Sequence, residues 1–226
     1  MPIVAEDVIP SMFLPELAAL RETVFARILP AFDGLESEAE AIQREALEQL
    51  NAKATEYSDG ADLAEAAFEA GLEHYTLMTG AQQTMLNALA IALSHLFEQQ
   101  RHLLTFRTLM DSEPDSRKRE KAFAEFLKAN GVDRTTFIQQ AKLEELDLVA
   151  NVAKHAEGQS ADRLRALRPE LFVNPSIRGD SILRSPVGPA NRTLMGDDLF
   201  VQPDDLRAYF SAVESFWQFV LTQLSA

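Results

Sequence analysis

From Pro30 to Pro114, and again from Pro114 to Pro169, the chain contains no proline. The residue that removes a backbone donor and clashes with the preceding helical turn is thus absent from most of the sequence. The same stretches are rich in Ala, Leu, Glu and Gln, which lose little on entering a helix. No βαβ alternation, repeat of fixed period or low-complexity tract competes with that tendency. At 226 residues and 46% apolar composition, the chain is long enough to bury a core without disulfides or metal. It has no cysteine for redox chemistry or a thiolate metal site. The expected fold class is all-α, a helical bundle forming a single domain over 1–226.

Local signals divide this chain into helices. Pro15 suits the first turn of a helix over about 15–29. Ser37 and Glu40 have the capping-box spacing for a second helix running toward Tyr57. Asp59 and Gly60 break it, and a third helix, about 61–78, ends at a turn or kink at Gly80. Leu86, Leu89, Leu93, Leu96, Gln100 and Leu103 recur at steps of three and four, a stripe along a long helix over about 81–110. A fifth helix, about 117–129, stops at Asn130 and Gly131. Asp133 is placed to cap a sixth, which runs to about Ala156. Leu93, Leu96 and Phe97 are expected to pack on its Leu146, Val149 and Val152. A short seventh helix opens at Ser160 and is limited by Pro169. Residues 171–202 have no helical period and hold several prolines and glycines, a long irregular loop of the kind often used for function. Pro203, Asp204 and Asp205 open the last helix, 203–224, which buries Phe210, Val213, Phe216, Trp217 and Val220.

Charge is spread unevenly. The chain carries 21 bases and 35 acids, a net charge of −14. Residues 33–73 hold twelve acids and two bases, 2 − 12 = −10, whereas 160–192 hold six arginines and three acids, 6 − 3 = +3. An acidic protein is a poor general binder of nucleic acid, although a local arginine cluster supplies what phosphate contacts need. Both blocks are also what solvated surface looks like. The N-terminus has Glu6 and Asp7 and no basic segment, so a secretory signal is not expected. The stretch 74–97 lacks Asp, Glu, Lys and Arg, but Gly80, Gln82, Gln83 and Asn87 interrupt it, which fits a buried helix better than a membrane span. A cytoplasmic protein without membrane association is the expectation.

No GxxxxGK[ST], GxGxxG, HExxH or GxSxG pattern occurs, which argues against a P-loop nucleotidase, a Rossmann dehydrogenase, a zincin and an α/β-hydrolase. The histidines remain. His95, Glu98 and His102 share one helix face roughly opposite the leucine stripe. That face is either solvated or the lining of a site. No carboxylate–histidine repeat of the di-iron kind accompanies it, so neither a metal nor another cofactor is expected. His155 closes the sixth helix four residues after Asn151, on the same side, with Lys154 beside it. A histidine in a last helical turn is either a C-terminal cap or, titrating near neutrality, a general acid or base.

The Asn151-x-x-x-His155 element, closing a helix before Gly158, resembles the end of the motif of HEPN-domain proteins. The stretch Ala92-Leu93-Ser94-His95-Leu96-Phe97-Glu98-Gln99-Gln100 is similar to the earlier core helix of bacterial members. The resemblance spans about 61–172. It implies a HEPN-like bundle, usually a homodimer with one composite site, that binds or cleaves RNA in phage defence or a toxin–antitoxin system. The enzyme implied is a metal-independent endoribonuclease with His155 and Asn151 as catalytic residues. Its supporting groups would be His95, Glu98, His102 and Lys154. The family's motif arginine falls on Ala150, a departure from the pattern. Lys154 or arginines of the 160–192 segment, among them Arg178, Arg184 and Arg192, would have to hold the phosphate, since arginine is the better residue for that contact. Otherwise the chemistry rests on His95, Glu98 and His155, or the chain is a catalytically inactive interaction or scaffold protein that binds a partner such as an antitoxin. A shared site requires His155 to lie beside His95, Glu98 or His102.

Overall fold

A computed structural model describes residues 5–109, 116–177 and 198–225. Among them every regular element is helical, so the fold class is all-α. The helices are α1 (Ala5–Val8), α2 (Leu14–Thr23), α3 (Leu35–Ala52), α4 (Gly60–Leu109), α5 (Ser116–Ala129), α6 (Gln140–His155), α7 (Gln159–Leu167) and α8 (Pro203–Leu224). They form two compact units. One comprises Met1–Glu22 and Leu86–Ala226, the other Thr23–Met85.

The larger unit is built around an aromatic cluster. Trp217 and Phe216 of α8 pack against Phe97 of α4, Phe123 of α5 and, through Trp217, Phe13, with ring centroids 4.8–6.2 Å apart. Tilted and edge-on ring pairs of this kind add to simple area burial. Leu93 and Phe97 of α4 and Leu146, Val149 and Val152 of α6 are all buried. Ser94 Oγ donates to Asp147 Oδ1 at 3.2 Å, joining the same two helices. The α4 face differs from the expected stripe at its far end. Phe97 and Leu104 are buried there, whereas Leu96 and Leu103 line an open cleft. Gln100 stays on the buried face because its amide is fully used. Trp217 Nε1 donates to Gln100 Oε1 at 2.7 Å, and Gln100 Nε2 reaches the Phe13 carbonyl at 3.3 Å and Glu16 at 3.1 Å.

The N-terminal path is already helical at Ala5, well before Pro15. A wide turn, Ile9–Phe13, joins α1 to α2, and the Leu14 N–H returns to the Ile9 carbonyl. Such a turn spaces the backbone so that Pro15, which has no N–H, fits inside the helical path. Asp133 caps a short turn, Arg134–Thr136, by accepting from Thr135 N at 2.9 Å, and α6 starts later, at Gln140. The last helix opens as expected. Gln202 N donates to Asp205 Oδ2 at 3.0 Å in a reciprocal capping box. Of the irregular 171–202 segment, the described ends are pinned together. Phe200 N donates to Leu171 O at 2.7 Å, and buried Asn87 donates to Leu199 O at 2.9 Å. Arg178, Arg184 and Arg192 lie outside the described residues.

The smaller unit is mainly the α3–α4 hairpin. Gly34, at φ +83°, turns the chain directly into α3, a conformation open to glycine at no steric cost. Ser37 and Glu40 therefore sit inside the helix, and their capping box does not form. Asp59 caps α4 by accepting from Ala61 N at 2.8 Å. The two helices approach closely at Gly71, where an added Cβ would lie 2.8 Å from the Ala39 carbonyl oxygen. The expected third and fourth helices are one, and Gly80 does not break it. An isolated helical glycine costs about 1 kcal/mol relative to alanine, less than the good helix formers on either side contribute together. The hydroxyls of Thr76, Thr79 and Thr84 fold back onto carbonyls one turn earlier, at 2.8–3.0 Å.

Leu93 is fully buried. Leu93→Ala is expected to lower the unfolding free energy by about 2–5 kcal/mol, measured by chemical denaturation.

Candidate functional site

At the C-terminal end of α6, Ala150 is buried, Asn151 half-buried, and Lys154 and His155 exposed. Among the described residues, neither the His155 nor the Asn151 side chain makes a hydrogen bond or ion pair; their bonds are those of the α6 backbone. Glu98 and His102, by contrast, are brought together with Arg101, Arg119 and Glu120 around a void of about 40 Å³. Arg119 pairs with Glu98 at 3.3 Å, and Arg101 and Arg134 both pair with Glu120, at 2.8 and 2.6 Å. His95 is exposed and contacts Gln99 at 3.0 Å.

Helix direction separates these groups. The Ser94–Asp147 bond fixes one level, and the Arg101–Glu120–Arg134 chain brings residues just before α6 toward Arg101. Helices α4 and α6 therefore run antiparallel. His155 lies two turns beyond Asp147, about 12 Å along the axis at 1.5 Å per residue, toward the Leu86 end. The described contacts join His155 to none of His95, Glu98 and His102.

Around Arg101 the electrostatics are tight. Its guanidinium stacks 4.6 Å from the Phe97 ring centroid. Burial raises the Asp147 pKa above its ordinary value, and the Arg101 charge and the Ser94 hydroxyl only partly offset it.

A densely bonded group is one the sequence reading passed over. Glu145 is buried on α6. Its carboxylate accepts from Lys142 Nζ at 2.7 Å, from Tyr209 Oη at 2.8 Å and from Arg168 Nη1. Arg168 also donates to Glu170, and to Asp205 at 2.8 Å. Burial, and then the charge and hydrogen bond of Glu145, push the Tyr209 phenol far above its ordinary pKa. Burial opposes the Arg168 charge, but its bonds to Asp205 and Glu170 and the nearby Glu145 outweigh it and hold its pKa above the ordinary value. One signal was available in the sequence. Glu145, Val149 and Val152 are spaced by four and three, which puts a carboxylate on an apolar face.

Three further concave surfaces are found among the described residues, and one of about 470 Å³ lies at the turn between α5 and α6, lined by Leu127, Lys128, Val132 and Arg134. In the larger unit, Met12, Phe13, Leu96 and Leu103 line an apolar cleft of about 380 Å³, with Gln99 and His102 also lining it. In the smaller unit, Phe68, Leu72 and Tyr75 of α4 and Ala39 and Gln43 of α3 line a groove of about 270 Å³, with Glu36 and Glu40 beside them. Phe68 is 53% exposed and Leu72 50%. Among the described residues no group of three or more His, Cys, Asp or Glu is arranged to hold a metal ion. No described helix is long and apolar enough to cross a membrane. Comparison with protein-family models, curated proteins and solved structures finds no match. The HEPN resemblance thus rests on the quoted residues alone.

Tyr209→Phe leaves the Glu145 carboxylate with one donor fewer and is expected to cost about 1–3 kcal/mol in denaturant unfolding. Asp147 gives a pH signature. Its folded pKa is raised, so the native state binds the extra proton, and its contribution is present below about pH 4 and lost as pH rises through the folded pKa. The stability of Asp147→Asn minus that of the wild type should therefore increase with pH from about 4 upward, read from unfolding curves at a series of pH values.

Proposed function

We propose that this chain is a helical interaction protein, whose task is to hold a partner rather than to cleave RNA. One observation carries this reading. The α3–α4 hairpin holds Phe68 and Leu72 half in water beside a groove. A two-helix layer buries one face between its members and leaves the rest uncovered, and an exposed apolar patch with a polar rim is the ordinary mark of an interaction surface.

The charged groups support the same reading. A metal-independent ribonuclease needs a base at the ribose 2′-hydroxyl, a donor for the leaving oxygen and positive charge on the phosphate. The position corresponding to the motif arginine is Ala150, which is buried. Arg165 is bound to Glu157 and Asp162, and Arg168 to Glu145, Glu170 and Asp205. Those two guanidiniums are neutralised by neighbours instead of being held open for a phosphate, whereas Arg163 is exposed.

The experiment is incubation of purified protein with total RNA in EDTA, beside a His155→Ala variant. The expected outcome is the same background with both proteins. Cleavage by the wild type that disappears in His155→Ala overturns the interaction reading in favour of the ribonuclease.

A further inference from the structure

The groove on the α3–α4 hairpin has a definite chemistry, and we propose that it docks a basic amphipathic helix from another protein. This deepens the interaction reading above and rests on it. The floor comprises Phe68, Leu72 and Tyr75 with Ala39, beside the point where Gly71 lets the two helices come together. Phe68, Leu72 and Tyr75 follow the steps of four and three by which one helix presents a face to another. Two antiparallel helices in close contact leave a furrow between their outer ridges, and a third helix fills it by ordinary ridge-into-groove packing. Its anchors would be apolar side chains spaced i, i+3, i+4 and i+7.

Charge selects among possible occupants. Residues 23–85 carry twelve acids and three bases, 3 − 12 = −9, out of −14 for the chain. Glu36 and Glu40, one turn apart on α3, line the groove itself. A helix whose polar face bears lysines and arginines meets these carboxylates with complementary sign, which speeds encounter and sets orientation. A second copy of this hairpin would instead set Glu36 and Glu40 against their own copies, within a segment that itself carries a net charge of −9, and like-charge contact disfavours that pairing. Anionic RNA is disfavoured for the same reason.

The probe is a fluorescently labelled leucine–lysine peptide of about 18 residues, five helical turns, with leucines at i, i+3, i+4 and i+7. It is titrated with the full chain and followed by anisotropy. A peptide of identical composition but scrambled order and a leucine–glutamate version serve as controls. The expected result is saturable one-to-one binding with Kd in about the micromolar range, at least about tenfold tighter than for either control. Phe68→Ser and Leu72→Ser should each weaken it about tenfold with helical content unchanged, since both side chains are already half in water. Ile138→Ser, at an exposed apolar residue outside the groove, should leave it unaltered. Raising salt from about 50 to about 500 mM should weaken it several-fold.

Absence of binding, or binding unaffected by Phe68→Ser and Leu72→Ser, overturns the proposal. Tighter capture of the leucine–glutamate peptide does so as well, while leaving an interaction surface in place. Sedimentation showing a dimer of the free chain that Leu72→Ser dissociates assigns the groove to a second copy and likewise overturns the basic helix. The His155-dependent ribonuclease assay is independent of all these outcomes, so failure of the partner assignment and failure of the interaction reading are told apart.

Discussion

A carboxylate closed inside a helical unit sets much of its register. Glu145 is buried, and a charge in that position is stable only while its partners stay in place. Those partners come from three parts of the chain. Lys142 lies one turn earlier on α6, Arg168 lies just after α7, and Tyr209 lies on α8. Arg168 carries the constraint on to Asp205, whose other oxygen caps α8. One network thus fixes where α7 stops, where α8 begins and how both lie on α6. Apolar contacts are tolerant of sliding, whereas a buried ion with several oriented donors is not.

The aromatic cluster provides the complementary, non-directional part of the same packing. Phe216 and Trp217 of α8 contact rings on α4, α5 and the segment before α6. Direction enters this cluster through the Gln100–Trp217 bond. It explains how an amide stands on the buried face of α4 without the cost of an unsatisfied polar group.

Much of the helical organisation was legible because it is local. The stop of α5 at Asn130 and Gly131, the opening of α8 at Pro203 and the buried face Phe210, Val213, Phe216, Trp217 and Val220 all follow from spacing and caps. Local signals mislead where they compete with longer stretches. Gly80 reads as a break but is carried by the helix on both sides, and Gly34 takes the turning role assigned to Ser37 and Glu40. The choice between Leu96 and Phe97 as the buried neighbour of Leu93 depends on what α8 offers opposite, which periodicity in α4 alone does not contain. The same holds for the polar groups. Glu98 and His102 were readable as one face, but their companions Arg119 and Glu120 come from α5. The antiparallel course of α4 and α6, which carries His155 away from them, is a tertiary fact.

The chain has a single tryptophan, and it sits where these constraints meet. Trp217 is fully buried, ringed by Phe13, Phe97, Phe123 and Phe216, with its indole N–H held by Gln100. The larger unit therefore contains its own optical reporter. Its emission comes from one site, in a dry environment with a fixed hydrogen bond, and moves to longer wavelength when α8 leaves α4. Residues 23–85 have no tryptophan, so events in the hairpin are silent in that signal. Comparing emission with far-ultraviolet dichroism distinguishes a chain that loses both units in one step from a chain whose hairpin melts first.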